Sequence, residues 1–114
     1  MRQVGRERRR AYRVAAPGLR VRVIGYGREF EATDLSVSGI GFLQHGEPFK
    51  LAQTLKFDLF NGDGLALQNL PAIVARVGPD VAGCVFLGMD EGQQEGVAEL
   101  VLRLQKAVAH TTGP

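Results

Sequence analysis

The chain of 114 residues carries one cysteine, two histidines, no tryptophan and only eight other aromatics, two Tyr and six Phe. A lone Cys84 excludes an intrachain disulfide. It lies in an apolar run and fits a small buried hydrophobe better than a nucleophile. The histidines stand far apart, so no zinc spacing exists and no metal site is expected. Nothing approaches the roughly 20 consecutive apolar residues that a membrane helix needs. The N-terminus is charged and has no apolar signal segment, so a cytoplasmic location without membrane insertion is expected. No nucleophile–base pair is visible, so neither an enzyme nor a cofactor is expected. The aromatics form no evident stacking platform on alternating strand positions, which weighs against nucleic acid as the partner.

Acid is scarce at one end of the chain. Residues 1–13 hold Arg2, Arg6, Arg8, Arg9, Arg10 and Arg13 against the single acid Glu7, whereas the remainder is mildly acidic. Such asymmetry points to an anionic partner reached through the basic end. Residues 1–12 show neither helical nor strand periodicity and are expected to form a flexible basic arm. Residues 13–110 should then make one domain.

Beyond Pro17-Gly18 the pattern is period two. Leu19, Val21 and Val23 alternate with Arg20 and Arg22, a half-buried strand. Gly25-Tyr26-Gly27 turns the chain. Phe30 and Ala32 alternate with Glu29, Glu31 and Thr33 in a second strand that runs into Asp34. Asp34-Leu35-Ser36-Val37-Ser38-Gly39 is a bend, and Ile40–Leu43 is a short apolar strand. Leu55, Phe57 and Leu59 mark a fourth strand, closed by the turn Asn61-Gly62-Asp63-Gly64. Leu70-Pro71 interrupts the next apolar run and places the fifth strand at about Ala72–Val77. A sixth is expected at Cys84–Leu87. Val97, Leu100, Val101, Leu104 and Val108 then form one face of a helix, with Asp90 and Gln93 spaced as a capping box. Six short strands with Gly and Pro turns and one helix predict a mainly β fold, a small antiparallel barrel with a C-terminal α-helix.

Two motifs stand out. Arg9-Arg10-Ala11-Tyr12-Arg13 reads RxxxR, just before the first strand, and Asp34 to Gly39 reads DxSxxG, just after the second. In this order and topology they resemble the PilZ domain, the bacterial receptor module for cyclic di-GMP. The resemblance covers about residues 6–108 and implies a six-stranded antiparallel PilZ-type β-barrel. It implies that Arg9 and Arg13 bind the ligand from the arm and that Asp34, Ser36 and Gly39 bind it from the bend. Arg6 and Arg10 share the same spacing; Arg9 and Arg13 are preferred because Arg13 abuts Val14 and the first strand. An arginine immediately before the motif, here Arg8, goes in the family with a stacked pair of ligands, so two cyclic di-GMP molecules per chain are expected. The family further implies an unidentified downstream protein and control of motility or exopolysaccharide synthesis.

The chemistry agrees with these residue types. Arginine matches guanine O6 and N7 bidentately, pairs with phosphate and stacks on a purine face. An ionised carboxylate accepts only, which suits the N1–H and N2–H2 edge of guanine. The Ser36 hydroxyl can add a hydrogen bond, and a bare Gly39 lets a base or ribose approach. The competing readings are a small barrel that binds nucleic acid through the arm, and a PilZ fold that serves as a protein-interaction module without ligand. The intact motifs argue against the second.

Overall fold

The computed structural model describes residues 12–44, 46 and 49–112. The expected arm lies outside the described residues except for Tyr12, and Arg8 and Arg9 lie outside with it. In chain order the elements are β1 (Val14–Ala15), β2 (Leu19–Val23), β3 (Glu29–Leu35), β4 (Gly39–Leu43), β5 (Thr54–Asn61), β6 (Gly64–Val77), β7 (Val81–Phe86) and α1 (Glu91–Thr112). Every strand pairing is antiparallel. Strands β3, β2, β5, β6, β7 and β4 follow one another laterally, and a further pairing of β3 with β4 closes the ring. The six-stranded barrel with a C-terminal helix expected from the sequence is therefore present. Closure leaves the barrel strands without a long free edge.

Alternation decides what fills it. Leu19, Val21 and Val23 point inward from β2 and are buried, as are Phe57 and Leu59 of β5. Phe30, Phe42 and Phe49 pack with each pair of ring centroids 5.5 Å apart, and Tyr26 stacks on Phe49 at 5.0 Å. Arginines on the outward positions of β2 have partners: Arg20 pairs with Glu29, and Arg22 lies over the Phe60 ring, 4.6 Å from its centroid.

Three elements differ from the sequence reading. The fifth barrel strand does not begin after proline: β6 runs unbroken from Gly64 to Val77 through Pro71. Pro71 opposes Lys56 of β5, and its carbonyl accepts from the Leu87 amide, just past the end of β7. The missing N–H thus faces a place where no ladder continues, the edge position that proline tolerates. Strand β7 starts at Val81 rather than Cys84, because Val81, Ala82 and Gly83 pair with Leu43, Phe42 and Gly41 of β4. Pairing on both sides overrides the weak strand propensity of Ala-Gly. The two-residue β1, absent from the sequence reading, pairs Val14 with Leu35 and Ala15 with Asp34.

Helix α1 buries Val97, Leu100, Val101 and Leu104 against β1 and β6. Its start is a capping box: the Gln93 amide donates to Asp90 Oδ1 at 2.7 Å and the Asp90 amide to Gln93 Oε1 at 3.0 Å. Gly96, costly to helix propensity, has a packing reason. A Cβ there would stand 2.4 Å from Leu67 Cδ2, so glycine lets the helix settle onto β6.

Candidate functional site

The bend and Arg13 meet on the outer wall of the barrel. Strand β3 alternates through Phe30 and Ala32, both buried, so an unbroken phase would turn Asp34 inward. It does not. The β3–β4 register slips between Ala32 and Asp34, so Thr33 and Asp34 together oppose Gly41. This is a β-bulge, an extra residue that re-aims the side chains after it. Leu35 consequently takes the core position and is fully buried, while Asp34 is half-buried on the outside.

Gly41 makes room for this arrangement. A Cβ there would lie 2.7 Å from Asp34 Oδ1 and 2.9 Å from Thr33 Oγ1. The carboxylate thus lies across a bare stretch of β4. Gly41 received no role from sequence reasoning. The available signal was the spacing of apolar residues at 30, 32 and 35, which breaks period two at the point where the bulge sits.

Arg13, the residue before β1, reaches the same place. Its Nε donates to Asp34 Oδ2 at 2.9 Å and its Nη2 to Asp34 Oδ1 at 3.1 Å, a bidentate pair. The side chains are 38% and 31% exposed, so water screens the pair and its net worth is about 0–1 kcal/mol. Such a pair is weak enough to be opened or extended by an incoming polar ligand.

Ser36 and Gly39 build the bend. Ser36 is fully buried, and its Oγ accepts from the Ser38 and Gly39 amides, both at 3.1 Å, and lies 3.1 Å from Ser38 Oγ. The Ser36 amide donates to the Gly39 carbonyl at 2.9 Å. The hydroxyl therefore faces the turn's own backbone, the local pattern that serine favours. At Gly39 a Cβ would stand 2.2 Å from the Cys84 carbonyl oxygen. The close approach that glycine permits at this position is that of β7, and the bare surface beside the carboxylate belongs to Gly41. Val37 and Ser38 are exposed at the tip.

The structure thus brings Arg13, Asp34 and the Ser36–Gly39 bend together, with Gly41 as floor. Among the described residues no group of three or more His, Cys, Asp or Glu could hold a metal ion. No described helix is long and apolar enough to cross a membrane. Burial pushes the Cys84 thiol up to about 11, which suits a core residue and not a reactive thiolate.

A family model described as the PilZ domain matches residues 7–103. Among curated proteins no match is found. Solved structures that this chain is similar to include the PilZ domain with c-di-GMP of YcgR from Escherichia coli, at 16% identity and a TM-score of 0.75, covering 91% of this chain and 96% of that one. The inhibitor of motility MotI/DgrA of Bacillus subtilis is similar at 17% identity and a TM-score of 0.69, covering 86% of this chain and 52% of that protein. This chain therefore spans about half the length of that protein. The PilZ domain of CeSA from a cellulose-synthesizing bacterium matches at 20% identity and a TM-score of 0.60, covering 82% of this chain and 98% of that one.

Proposed function

Since the chain belongs to the PilZ domain family, we propose that it is a non-catalytic, cytoplasmic receptor for cyclic di-GMP. The single observation that carries this reading is the bidentate Arg13–Asp34 pair on the outer barrel wall, which joins the last residue of the RxxxR motif to the first of DxSxxG. A planar donor fork that pairs with phosphate or stacks on a purine face, beside an acceptor-only carboxylate suited to the N1–H and N2–H2 edge of guanine, puts two groups the ligand needs in one half-open place. Arg8 and Arg9, on the arm beyond Tyr12, add the charge that the phosphodiesters need. Ser36 and Gly39 contribute by fixing the bend that carries Asp34.

The ligand is dianionic and the arm strongly cationic. In this reading the arm closes over the nucleotide, and the covered surface becomes the one a downstream protein detects. The YcgR domain named above is a structure with c-di-GMP, and MotI is named an inhibitor of motility. The first supports the ligand, and the second makes motility one process for this receptor to serve.

Isothermal titration of the full chain with cyclic di-GMP tests the proposal. Saturable binding that survives 150 mM salt, with no comparable uptake of cyclic di-AMP, is the expected result. Equal binding of random oligonucleotides, with affinity collapsing as salt rises, would favour a nucleic-acid binder instead.

A further inference from the structure

The bulge that turns Asp34 outward has a counterpart across the barrel wall. The β6–β7 register slips between Val74 and Arg76. Ala72 and Val74 are buried, so an unbroken alternation would send Arg76 into the core. The extra residue flips the phase, and Arg76 is exposed on the outside opposite Gly83. A Cβ at Gly83 would stand 3.3 Å from Arg76 Nη2 and 3.4 Å from its Cζ, so the guanidinium lies over that glycine.

Gly83 is the direct cross-strand partner of Gly41. One lateral row of the outer wall therefore reads Asp34, Gly41, Gly83, Arg76 across β3, β4, β7 and β6. A carboxylate covers the first glycine and a guanidinium the second. Directly opposed positions place Cβ atoms about 4.5–5.5 Å apart, which puts the two heads within roughly 11 Å of each other. They form no ion pair, so they are also more than 4.0 Å apart. Among the described residues Arg76 has no hydrogen-bond or ion-pair partner, whereas Arg13, Arg20 and Arg22 all have one. An arginine turned outward by a bulge, laid over glycine and left without a counter-charge is a donor fork awaiting an acceptor.

We propose that Arg76 is a further ligand-binding residue, which takes the O6/N7 edge of the guanine whose N1–H/N2–H2 edge Asp34 accepts, with the Gly41–Gly83 pair as the floor. This inference rests on the receptor reading above. A guanine hydrogen-bonded on both edges holds its two partners on the order of 8–9 Å apart, two bonds of about 2.9 Å plus the ring between them. That span lies within these bounds. With no Cβ at Gly41 or Gly83 the two heads lie low against the wall, and a flat base can sit between them.

The test is titration of wild type, Arg76→Ala and Arg76→Lys with cyclic di-GMP and with its 7-deazaguanine analogue, which lacks the N7 acceptor. Circular dichroism confirms that each variant is folded. Arg76→Ala is expected to weaken cyclic di-GMP about tenfold or more, and Arg76→Lys to recover little of it, since lysine keeps the charge and loses the fork. The penalty for the 7-deaza analogue should be smaller in Arg76→Ala than in wild type. Wild-type affinity in folded Arg76→Ala, or an undiminished 7-deaza penalty, would overturn the inference while leaving the receptor reading standing. No binding by wild type would overturn the receptor reading and this inference with it.

Discussion

Arg13 and Asp34 grip each other edge to edge, Nε to Oδ2 at 2.9 Å and Nη2 to Oδ1 at 3.1 Å, across 21 residues of sequence. The pair is exposed enough that breaking it should barely move stability. Removing either partner should nevertheless remove a charged hydrogen-bonding group from the ligand, typically about 1.5–3 kcal/mol per bond. Arg13→Ala and Asp34→Ala are each expected to change the unfolding free energy by under about 1 kcal/mol and to lose at least tenfold in affinity for cyclic di-GMP. Urea denaturation and calorimetry read the two quantities separately. Unchanged affinity in either folded variant would remove that residue from the site.

Two glycines six and eight residues after Thr33 should fail in different ways. At Gly39 an added methyl meets the Cys84 carbonyl oxygen, and backbone cannot step aside. Gly39→Ala should cost stability, about 3 kcal/mol, the upper end of overpacking penalties. At Gly41 the methyl meets the ends of the Asp34 and Thr33 side chains. Gly41→Ala should spare stability by comparison and weaken ligand binding by displacing the carboxylate. Melting temperature against affinity for the two variants checks the contrast, and a common pattern in both would refute it.

Cys84 sets a pH signature. Burial holds its thiol neutral, with the ionisation moved from 9.0 to about 11. An acid whose folded value lies above its unfolded one stabilises the fold fully below the unfolded value, and that contribution is lost as pH rises through the folded one. Wild-type stability relative to Cys84→Ala should therefore fall between pH 9 and 11, by on the order of 2 kcal/mol. Urea midpoints of both proteins at pH 8, 9 and 10 measure it. Parallel curves would mean that the thiol ionises as readily folded as unfolded.

Arg8 bears on stoichiometry. A stacked pair of cyclic di-GMP molecules gathers four phosphodiester charges whose repulsion must be offset, and a third guanidinium beside Arg9 and Arg13 does so. The expected ratio is two ligands per chain for wild type and one for Arg8→Leu. Calorimetry with a known active protein fraction decides it. A wild-type ratio of one would refute the pair, and a ratio of two in both proteins would remove Arg8 as its cause.

Most of the barrel was legible because its strands obey strict alternation. Leu19-Val21-Val23 and Leu55-Phe57-Leu59 can be placed only one way round, and the Asp90–Gln93 box marks the helix start by chemistry alone. What escaped was set by neighbours and not by the local residues. Pro71 reads as a break until β5 is known to hold one side of it and β7 to end beside it. Val14–Ala15 is too short to show a period, and it is a strand only because β3 offers Asp34 and Leu35. In the candidate site the motif residues could be named, yet their division of labour could not. Which of Ser36, Gly39 and Gly41 faces the outside depends on one extra residue in β3, and a bulge is written in the register of two strands, not in either alone.

The short β1 has a mechanical consequence. It begins one residue after Arg13, hydrogen-bonds to β3 alongside Asp34, and carries helix α1 against it. Two residues of ladder are a shallow hold. A load on Arg13 passes first to Val14 and Ala15, the strand on which the helix rests. A slip of β1 by one position would exchange buried Val14 for exposed Ala15 beneath the helix. Two residues of strand thus stand between Arg13 and the helix, whose far face carries Leu102 at 54% exposure.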